Sequence, residues 1–106
     1  MKRGEIWWTV FDPAKGVEVR KTRPAIILSV DNVNRARGTV IVAPLSTAPR
    51  AYPPISVPVT AMGRASIAKC DQIRAVDKSR LSRRGGMLGA DDLQAVASAV
   101  RQIVGL

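Results

Sequence analysis

The segment Pro24-Ala25-Ile26-Ile27-Leu28-Ser29-Val30 decides the fold of this 106-residue chain. Its apolar side chains follow one another without the polar alternation of a strand that has one face in water. Such a run is typical of a strand that is buried on both faces of a sheet. We therefore predict a strand over Ala25–Val30 whose two faces are both covered.

Further strand patterns lie before and after this run. They share β-branched and aromatic residues bounded by turn residues. They cover Glu5–Phe11, Thr39–Ala43, Ile55–Val59 and, as a strand or hairpin arm, Arg64–Val76. Pro44 is expected to end the strand at Thr39–Ala43, and Pro58 places its own strand at the edge of a sheet.

The segments between these strands are predicted to be loops and short turns. We expect a flexible basic loop over residues 14–23 and a long loop with three prolines over residues 45–54. Residues 31–38 and 77–81 each predict a helical turn, the second followed by a break at Gly85-Gly86.

Near the C-terminal end the apolar residues take up a helical period. They fall three, four and seven residues apart, at Leu93, Val96, Ala97, Val100, Ile103 and Val104. Asp91 and Asp92 are expected to cap the start of this helix, and Gly105 to end it. Strands followed by one helix predict a β-rich α+β fold: one domain over residues 1–106, with a helix packed on an antiparallel, barrel-like sheet.

The charge of the chain is strongly positive. Seventeen Lys and Arg against eight Asp and Glu give a formal net charge of +9, and twelve of the seventeen are Arg. Arginine matches phosphate oxygens bidentately, so nucleic acid is the expected partner. A solubility surface or an acidic protein partner would explain the same charge. An aromatic content of only 4% argues against a wide base-stacking platform.

Several kinds of functional site are excluded by composition. The chain has no histidine and a single cysteine, Cys70, so it holds no Ser-His-Asp triad, no Cys-His pair, no disulfide and no zinc cluster. Cys70 is expected to be a small buried residue. No Walker-type loop, signal peptide or membrane span is visible, which predicts a cytoplasmic protein without a cofactor or metal.

RNA is the substrate that this limited set of groups could cleave. Its own 2′-OH supplies the nucleophile, so the protein must only move protons and stabilise the charge on the phosphate. DNA lacks this hydroxyl and would resist the same reaction. Cleavage of RNA is therefore the economical hypothesis.

Three clusters could build such a site. The first comprises Glu18, Lys21, Thr22 and Arg23, the second Ser46 and Thr47, and the third Lys69, Asp71, Gln72 and Arg74. From the residues alone Lys21 is interpreted as part of a solvated loop, whereas Arg23 is held by the following proline and is favoured as functional. Ser46 and Thr47 could be turn caps only, and Asp71 and Arg74 could form a structural ion pair.

The clusters together resemble the MazF/PemK family of toxin endoribonucleases. The likeness is carried in order by Arg3-Gly4-Glu5-Ile6-Trp7, Lys21-Thr22-Arg23-Pro24, Asn34-Arg35, Val42-Ala43-Pro44-Leu45-Ser46-Thr47 and residues 70–81. It implies a small SH3-like antiparallel barrel of the CcdB, Kid and MazF type with a C-terminal α-helix. It also implies a homodimer that cleaves single-stranded mRNA without a metal and is neutralised by a cognate acidic antitoxin.

The resemblance also assigns residues. The family's catalytic arginine falls on Arg23, and its catalytic threonine falls on Ser46, with Thr47 as the neighbouring hydroxyl. An Arg-x-Asp pair that serves as acid and base in some relatives falls on Lys69 and Asp71, with lysine in place of arginine. A histidine of some relatives is Val17 here. The residues predicted to contact RNA are Glu18, Lys21, Thr47, Gln72 and Arg74.

Three functions are compatible with these residues. The leading one is a sequence-specific endoribonuclease toxin. A nucleic-acid-binding module that has lost catalysis is the second, because of the changes at Val17, Ser46 and Lys69. The third is a gyrase-inhibiting toxin of the related barrel fold, which would need an exposed C-terminal helix end. We expect Ile103, Val104 and Leu106 to belong to the core instead.

Overall fold

The computed structural model describes residues 1–11 and 22–106, which form a curled antiparallel sheet with a helix at the C-terminal end. In chain order the strands are β1 (Glu5–Val10), β2 (Thr22–Ile27), β3 (Thr39–Ser46), β4 (Ser56–Ala61), β5 (Arg64–Lys69), β6 (Arg74–Asp77) and β7 (Leu81–Met87). The α-helices are α1 (Asp31–Ala36) and α2 (Ala90–Val104). Neighbouring strands follow the order β4-β5-β3-β2-β1-β7, and β6 also pairs with β3. The predicted fold class is confirmed.

Strand β2 is buried on both faces, as its sequence predicts. The side chains of Ala25, Ile26 and Ile27 are each 0% exposed. Ile26 belongs to the core that α2 covers, together with Ile6, Leu45 and Val96. Ala25 and Ile27 belong to a second core on the opposite face. The sheet therefore separates two hydrophobic clusters, and β2 contributes to both.

The second core closes the far side of the sheet. Its buried members are Phe11, Ala25, Ile27, Val40, Val42, Val76 and Leu81, and Trp7 packs against them. Trp7 also donates its indole N–H to the Glu5 carboxylate at 3.0 Å. Because successive side chains of a strand point to opposite faces, Trp8 faces away from this core.

Strand β3 changes partners along one of its edges. Its first half pairs with β6, from Thr39 opposite Asp77 to Val42 opposite Arg74. Its last residues pair with β5, where Leu45 lies opposite Ala68. Pro44 lies between the two ladders, where the missing N–H costs neither of them a hydrogen bond.

The segment between β5 and β6 leaves the sheet, so the strand or hairpin arm expected over Arg64–Val76 is correct for the hairpin arm β5 but wrong in its length. Residues Cys70–Gln72 form a 3₁₀ turn instead. The Cys70 and Asp71 amides donate to the Ile55 carbonyl at 2.9 and 3.3 Å, which ties the turn to the chain that leads into β4. This turn changes the direction in which the polar residues around it point.

Three further expectations about strands need correction. Pro24 and Pro44 lie inside β2 and β3 rather than at their ends. Arg23 is therefore a strand residue, while residues 14–21 of the predicted basic loop lie outside the described part. Gly85-Gly86 does not break the chain but lies in β7, whose ladder with β1 shifts register twice. Strand β7 contains two arginines and two glycines among its seven residues, so it lacks the apolar alternation by which a strand is recognised in a sequence.

Helix α2 covers one core with the predicted apolar face. Val96 and Ala99 are buried, and Leu93 and Val100 pack against the same cluster. Gly105 ends the helix in the left-handed conformation at φ 78°, as expected. Its other end differs from the prediction, because Gly89 is the N-cap and makes no side-chain cap bond.

The carboxylate of Asp92 has a different role from the one expected. Its Oδ2 accepts the Thr60 backbone N–H of β4 at 2.8 Å, which ties the first turn of α2 to the edge of the sheet. The C-terminal end of α2 is exposed to solvent. Ile103, Val104 and Leu106 are exposed and not part of the core, which corrects the expectation made for them.

Because β2 is buried on both faces, we predict that truncating one of its side chains lowers the stability of the fold. Ile26→Ala should lower the free energy of unfolding by about 2–5 kcal/mol, since it leaves a cavity in a closed core. The matched control is Ile41→Ala on β3, where the side chain is 41% exposed. That variant should stay within about 1 kcal/mol of the parent chain. Urea denaturation measures both, and equal losses would contradict the two-core description.

Candidate active site

Arg23 lies at the boundary of two adjoining pockets on one face of the molecule. It is the residue of β2 that directly precedes Pro24, and its side chain is exposed where the neighbouring core ends. The first pocket, called here the basic pocket, has a volume of about 320 Å³. The second, called here the apolar pocket, has a volume of about 520 Å³. Both are lined by Arg23 and Leu45.

The basic pocket gathers cations from three parts of the chain. Besides Arg23 and Leu45, it is lined by Phe11, Pro44, Lys69, Gln72 and Arg74. The 3₁₀ turn after β5 makes this possible, because Lys69 ends β5 and Arg74 begins β6. The Arg74 guanidinium lies 5.6 Å from the Phe11 ring centroid, a cation–π contact that helps to fix it over the pocket. Three cations around one pocket favour a phosphate group.

Two hydroxyl groups lie on the other side of Arg23. Ser46 and Thr47, at the end of β3, both line the apolar pocket. The Ser46 oxygen accepts the Ala48 backbone N–H at 3.0 Å. Because that bond uses a lone pair of the oxygen, the hydroxyl proton of Ser46 remains available for an anionic oxygen. Ser46 is half-buried, whereas Thr47 is exposed.

Six further residues line the second pocket, and four of them are apolar or aromatic. Its further lining residues are Trp8, Pro24, Ala61, Met62, Arg64 and Ser66. Trp8 and Pro24 are directly opposite each other in the ladder of β1 and β2. Met62 lies at the tip of the hairpin that joins β4 and β5. The pocket therefore combines a predominantly apolar surface with the polar groups of its rim.

The structure brings most of the predicted site residues to this face. Arg23, Ser46, Thr47, Lys69, Gln72 and Arg74 all line one of the two pockets. Glu18 and Lys21 lie outside the described residues. Asp71 is exposed in the 3₁₀ turn and is not among the residues that line either pocket. The predicted residues thus lie around Arg23, with Asp71 outside both pockets.

The single cysteine is buried, as expected. Cys70 is 0% exposed in the core beneath α2, and its thiol approaches the Ala68 carbonyl at 3.7 Å. Burial, together with the neighbouring charge of Asp71, raises the pKa of the thiol to about 11. At neutral pH the sulfur is therefore protonated, so the nucleophile of any reaction at this face must come from another group.

Sequence reasoning missed seven residues that line the apolar pocket: Trp8, Pro24, Leu45, Ala61, Met62, Arg64 and Ser66. Two signals could have found Trp8 and Met62. Adjacent tryptophans in one strand cannot both face the same core, so either Trp7 or Trp8 must point elsewhere. A Met62-Gly63 pair between two alternating segments marks a two-residue hairpin, whose tip can reach a neighbouring surface.

The described residues contain neither a metal-binding cluster nor a helix that could cross a membrane. Within residues 1–11 and 22–106, no group of three or more His, Cys, Asp or Glu side chains could hold a metal ion. In the same part of the chain, neither helix combines the length and apolar character needed to cross a membrane.

Comparisons with known proteins were made for the whole chain. The family model described as "PemK-like, MazF-like toxin of type II toxin-antitoxin system" matches residues 2–104. Endoribonuclease MazF9 of Mycobacterium tuberculosis is 34% identical over 110 residues, covering 95% of this chain and 93% of that protein. Endoribonuclease toxin MazF of Escherichia coli K12 is 28% identical, covering 96% of this chain and 92% of that protein.

Solved structures with the same fold include toxins bound to their antitoxins. A MazE–MazF crystal structure from Deinococcus radiodurans superposes with a TM-score of 0.87 at 27% identity, covering 100% of this chain and 96% of that chain. The fold expected from the sequence, a small antiparallel barrel-like sheet with a C-terminal helix, is thus matched along the whole chain.

The raised pKa of Cys70 predicts a slow thiol reaction. At pH 8 only about one thiol in a thousand would be ionised at a pKa of about 11. A disulfide reagent should therefore label the native chain far more slowly than the chain unfolded in urea, in which the thiol pKa returns to about 8.5. Equal labelling rates in the two states would show that the sulfur is accessible and ionised in the fold.

Proposed function

The chain belongs to the PemK-like, MazF-like toxin family of type II toxin–antitoxin systems, and on that premise we propose that it is an endoribonuclease that cuts single-stranded mRNA. The observation that carries this proposal is the position of Arg23 between a pocket of cations and a pocket with two hydroxyl groups. A phosphodiester at Arg23 would lie within reach of both sets of groups.

The reaction begins with the 2′-OH of the RNA. The 2′ oxygen attacks the adjacent phosphorus and forms a 2′,3′-cyclic phosphate, while the bond from phosphorus to the 5′ oxygen breaks. The proton of the 2′-OH goes to a base, and the departing 5′ oxygen takes up a proton to become a hydroxyl. No metal or cofactor is needed for this balance.

The groups at this face divide that work. Arg23 and the Ser46 hydroxyl donate hydrogen bonds to the non-bridging oxygens, whose negative charge grows in the transition state. Lys69 and Asp71 are the pair proposed to move the two protons. Lys69 lines the basic pocket, and Asp71 follows two residues later in the 3₁₀ turn.

The other proposed RNA contacts surround this centre. Gln72 and Arg74 line the basic pocket and Thr47 the apolar pocket. Glu18 and Lys21 complete the set proposed from the sequence. The choice of RNA sequence is assigned to the segments over residues 14–23 and 48–54, which flank the site in the chain.

We propose two protein partners and a location. The formal net charge of +9 fits an acidic antitoxin that covers the RNA-binding face. MazF of Deinococcus radiodurans is found in complex with MazE, which supports a partner of this kind. A second copy of the chain, giving a homodimer, is the other partner. Action on mRNA places the protein in the cytoplasm.

Cleavage in EDTA tests the proposal. The purified protein should cut single-stranded RNA in EDTA, and a 2′-deoxy substitution at the cut site should abolish cleavage because the nucleophile is removed. Arg23→Ala should lower the rate about 100- to 1,000-fold, the usual cost of losing a donor to a developing anion. Arg101→Ala, an exposed arginine on α2, is the control with the same loss of charge and should keep full activity.

Other outcomes would select the other functions. RNA binding without cleavage would select the binding module. Inhibition of gyrase without loss of RNA would select the gyrase-directed toxin, for which the exposed end of α2 is available. Cleavage that survives both Arg23→Ala and the 2′-deoxy substitution would contradict the proposed mechanism.

The two hydroxyl groups can be separated by substitution. Ser46→Ala should reduce the cleavage rate about 100-fold or more, since it removes the donor that the Ala48 amide orients. Thr47→Val keeps the shape of an exposed side chain and should cost less than about tenfold. The rates measured under single-turnover conditions decide the assignment, and the reverse order of effects would give the catalytic role to Thr47.

A further inference from the structure

We propose that the apolar pocket is a nucleobase subsite, in which one base next to the phosphate at Arg23 contacts the side chains of Trp8 and Met62. The inference rests on the proposed function, because it assigns the occupant of a pocket beside the cleavage centre. It adds two binding residues, Trp8 and Met62, that the sequence pattern leaves without a role.

Trp8 has a position that packing alone does not explain. Its neighbour Trp7 packs against the second core and bonds to Glu5, as a structural tryptophan does. Trp8 points to the opposite face, remains half-buried and lines the apolar pocket. The guanidinium of Arg83 lies 5.4 Å from its ring centroid and is not among the residues lining the pocket. The indole therefore offers the pocket an aromatic surface while a cation holds it in place.

Met62 occupies a backbone position that disfavours methionine. Met62 and Gly63 form the two-residue tip of the β4–β5 hairpin and have φ values of 53° and 75°. Two positive φ values are the mark of a type I′ turn, for which Asn-Gly is the preferred pair. A long side chain at the first position is strained, and strain of this kind collects at functional sites.

A glycine in a neighbouring strand makes room for the Met62 side chain. Gly85 lies in β7, and a Cβ built on it would approach the Met62 sulfur to 2.7 Å. The tip of the hairpin thus reaches across to β7, and Met62 becomes a wall of the apolar pocket. The strained backbone of Met62 and the absence of a side chain at Gly85 together place an apolar surface in the same pocket as Trp8.

The chemistry of the pocket matches a base better than other occupants. A nucleobase has an apolar face for Trp8 and Met62 and polar edges for Arg64, Ser66 and Thr47, which line the same pocket. Arg23 at its boundary would hold the attached phosphate. One indole serves one base, which agrees with the low aromatic content of the chain. An apolar peptide side chain would make no hydrogen bond with the hydroxyl and guanidinium groups that line the pocket.

Tryptophan fluorescence tests the subsite directly. Trp7→Phe leaves Trp8 as the only tryptophan. We expect a random-sequence pool of 2′-O-methyl octanucleotides, which cannot be cut, to quench its emission saturably. A fully abasic pool of the same length and charge should quench far less and bind at least about 5-fold more weakly, the smallest cost of losing one stacked base. Equal quenching and equal affinity for the two pools would overturn the proposal.

Met62→Asn is the second variant, and it is designed to fold. Asn-Gly is the best sequence for the turn, so the melting temperature should stay the same or rise. Affinity for the base-bearing pool, measured by anisotropy with both tryptophans present, should fall several-fold, while affinity for the abasic pool should not change. Unchanged discrimination between the two pools in this variant would overturn the role of Met62.

The experiments distinguish a failure of the base subsite from a failure of the proposed endoribonuclease activity. If the parent chain cuts RNA but the abasic and base-bearing pools bind alike, the subsite is refuted and the endoribonuclease stands. If the pools are distinguished through Trp8 but no RNA is cut, the subsite stands and the catalytic proposal falls. Binding of an acidic peptide that quenches Trp8 while neither pool does would assign the pocket to a protein partner and refute the base.

Discussion

Burial of both faces of β2 is the constraint on which the rest of this structure depends. Ala25, Ile26 and Ile27 are completely enclosed, and each face requires its own cover. Helix α2 covers one face and the arc of β6 and β7 covers the other, so the sheet must curl around this strand. Each enclosed isoleucine contributes about 1.5–3 kcal/mol. The residue just outside the enclosed stretch, Arg23, is thereby held at a fixed place on the rim.

Strand β3 builds the site from this frame. Because it exchanges β6 for β5 along one edge, a short segment between those two strands is released from the sheet. That segment and the strand ends on either side of it bring Lys69, Gln72 and Arg74 to the pocket at Arg23, and the end of β3 brings Ser46 to the other side. The site thus forms where the β-ladders end, and the residues there are not engaged in strand pairing.

More of the fold than of the candidate site can be predicted from the sequence. The apolar run at β2, the alternation in β4 and the period of α2 each follow one rule of burial, and each pattern overlaps an element of the predicted type, although β2 begins and ends three residues earlier than the pattern indicates. The β7 strand is not visible, because its pairing with β1 offsets the cost of two glycines and several charges. The exit of residues 70–72 from the sheet is also invisible, since it depends on a carbonyl of a distant segment. Arg23 could be found from Pro24 and the resemblance. The adjacent tryptophans and the Met62-Gly63 pair could have drawn attention to Trp8 and Met62, but their shared pocket arises only where β1, β7 and a hairpin tip meet.

The three cations of the basic pocket have a consequence for the lifetime of the molecule. Arg23, Lys69 and Arg74 line one small pocket, and none of the described residues that line it carries a carboxylate. A polyanion that binds these side chains only in the folded chain shifts the equilibrium toward the folded state. A protease should therefore cleave the occupied chain more slowly than the empty chain, because a smaller fraction of the occupied chain is unfolded. Affinity and cellular persistence are in this way set by the same three side chains.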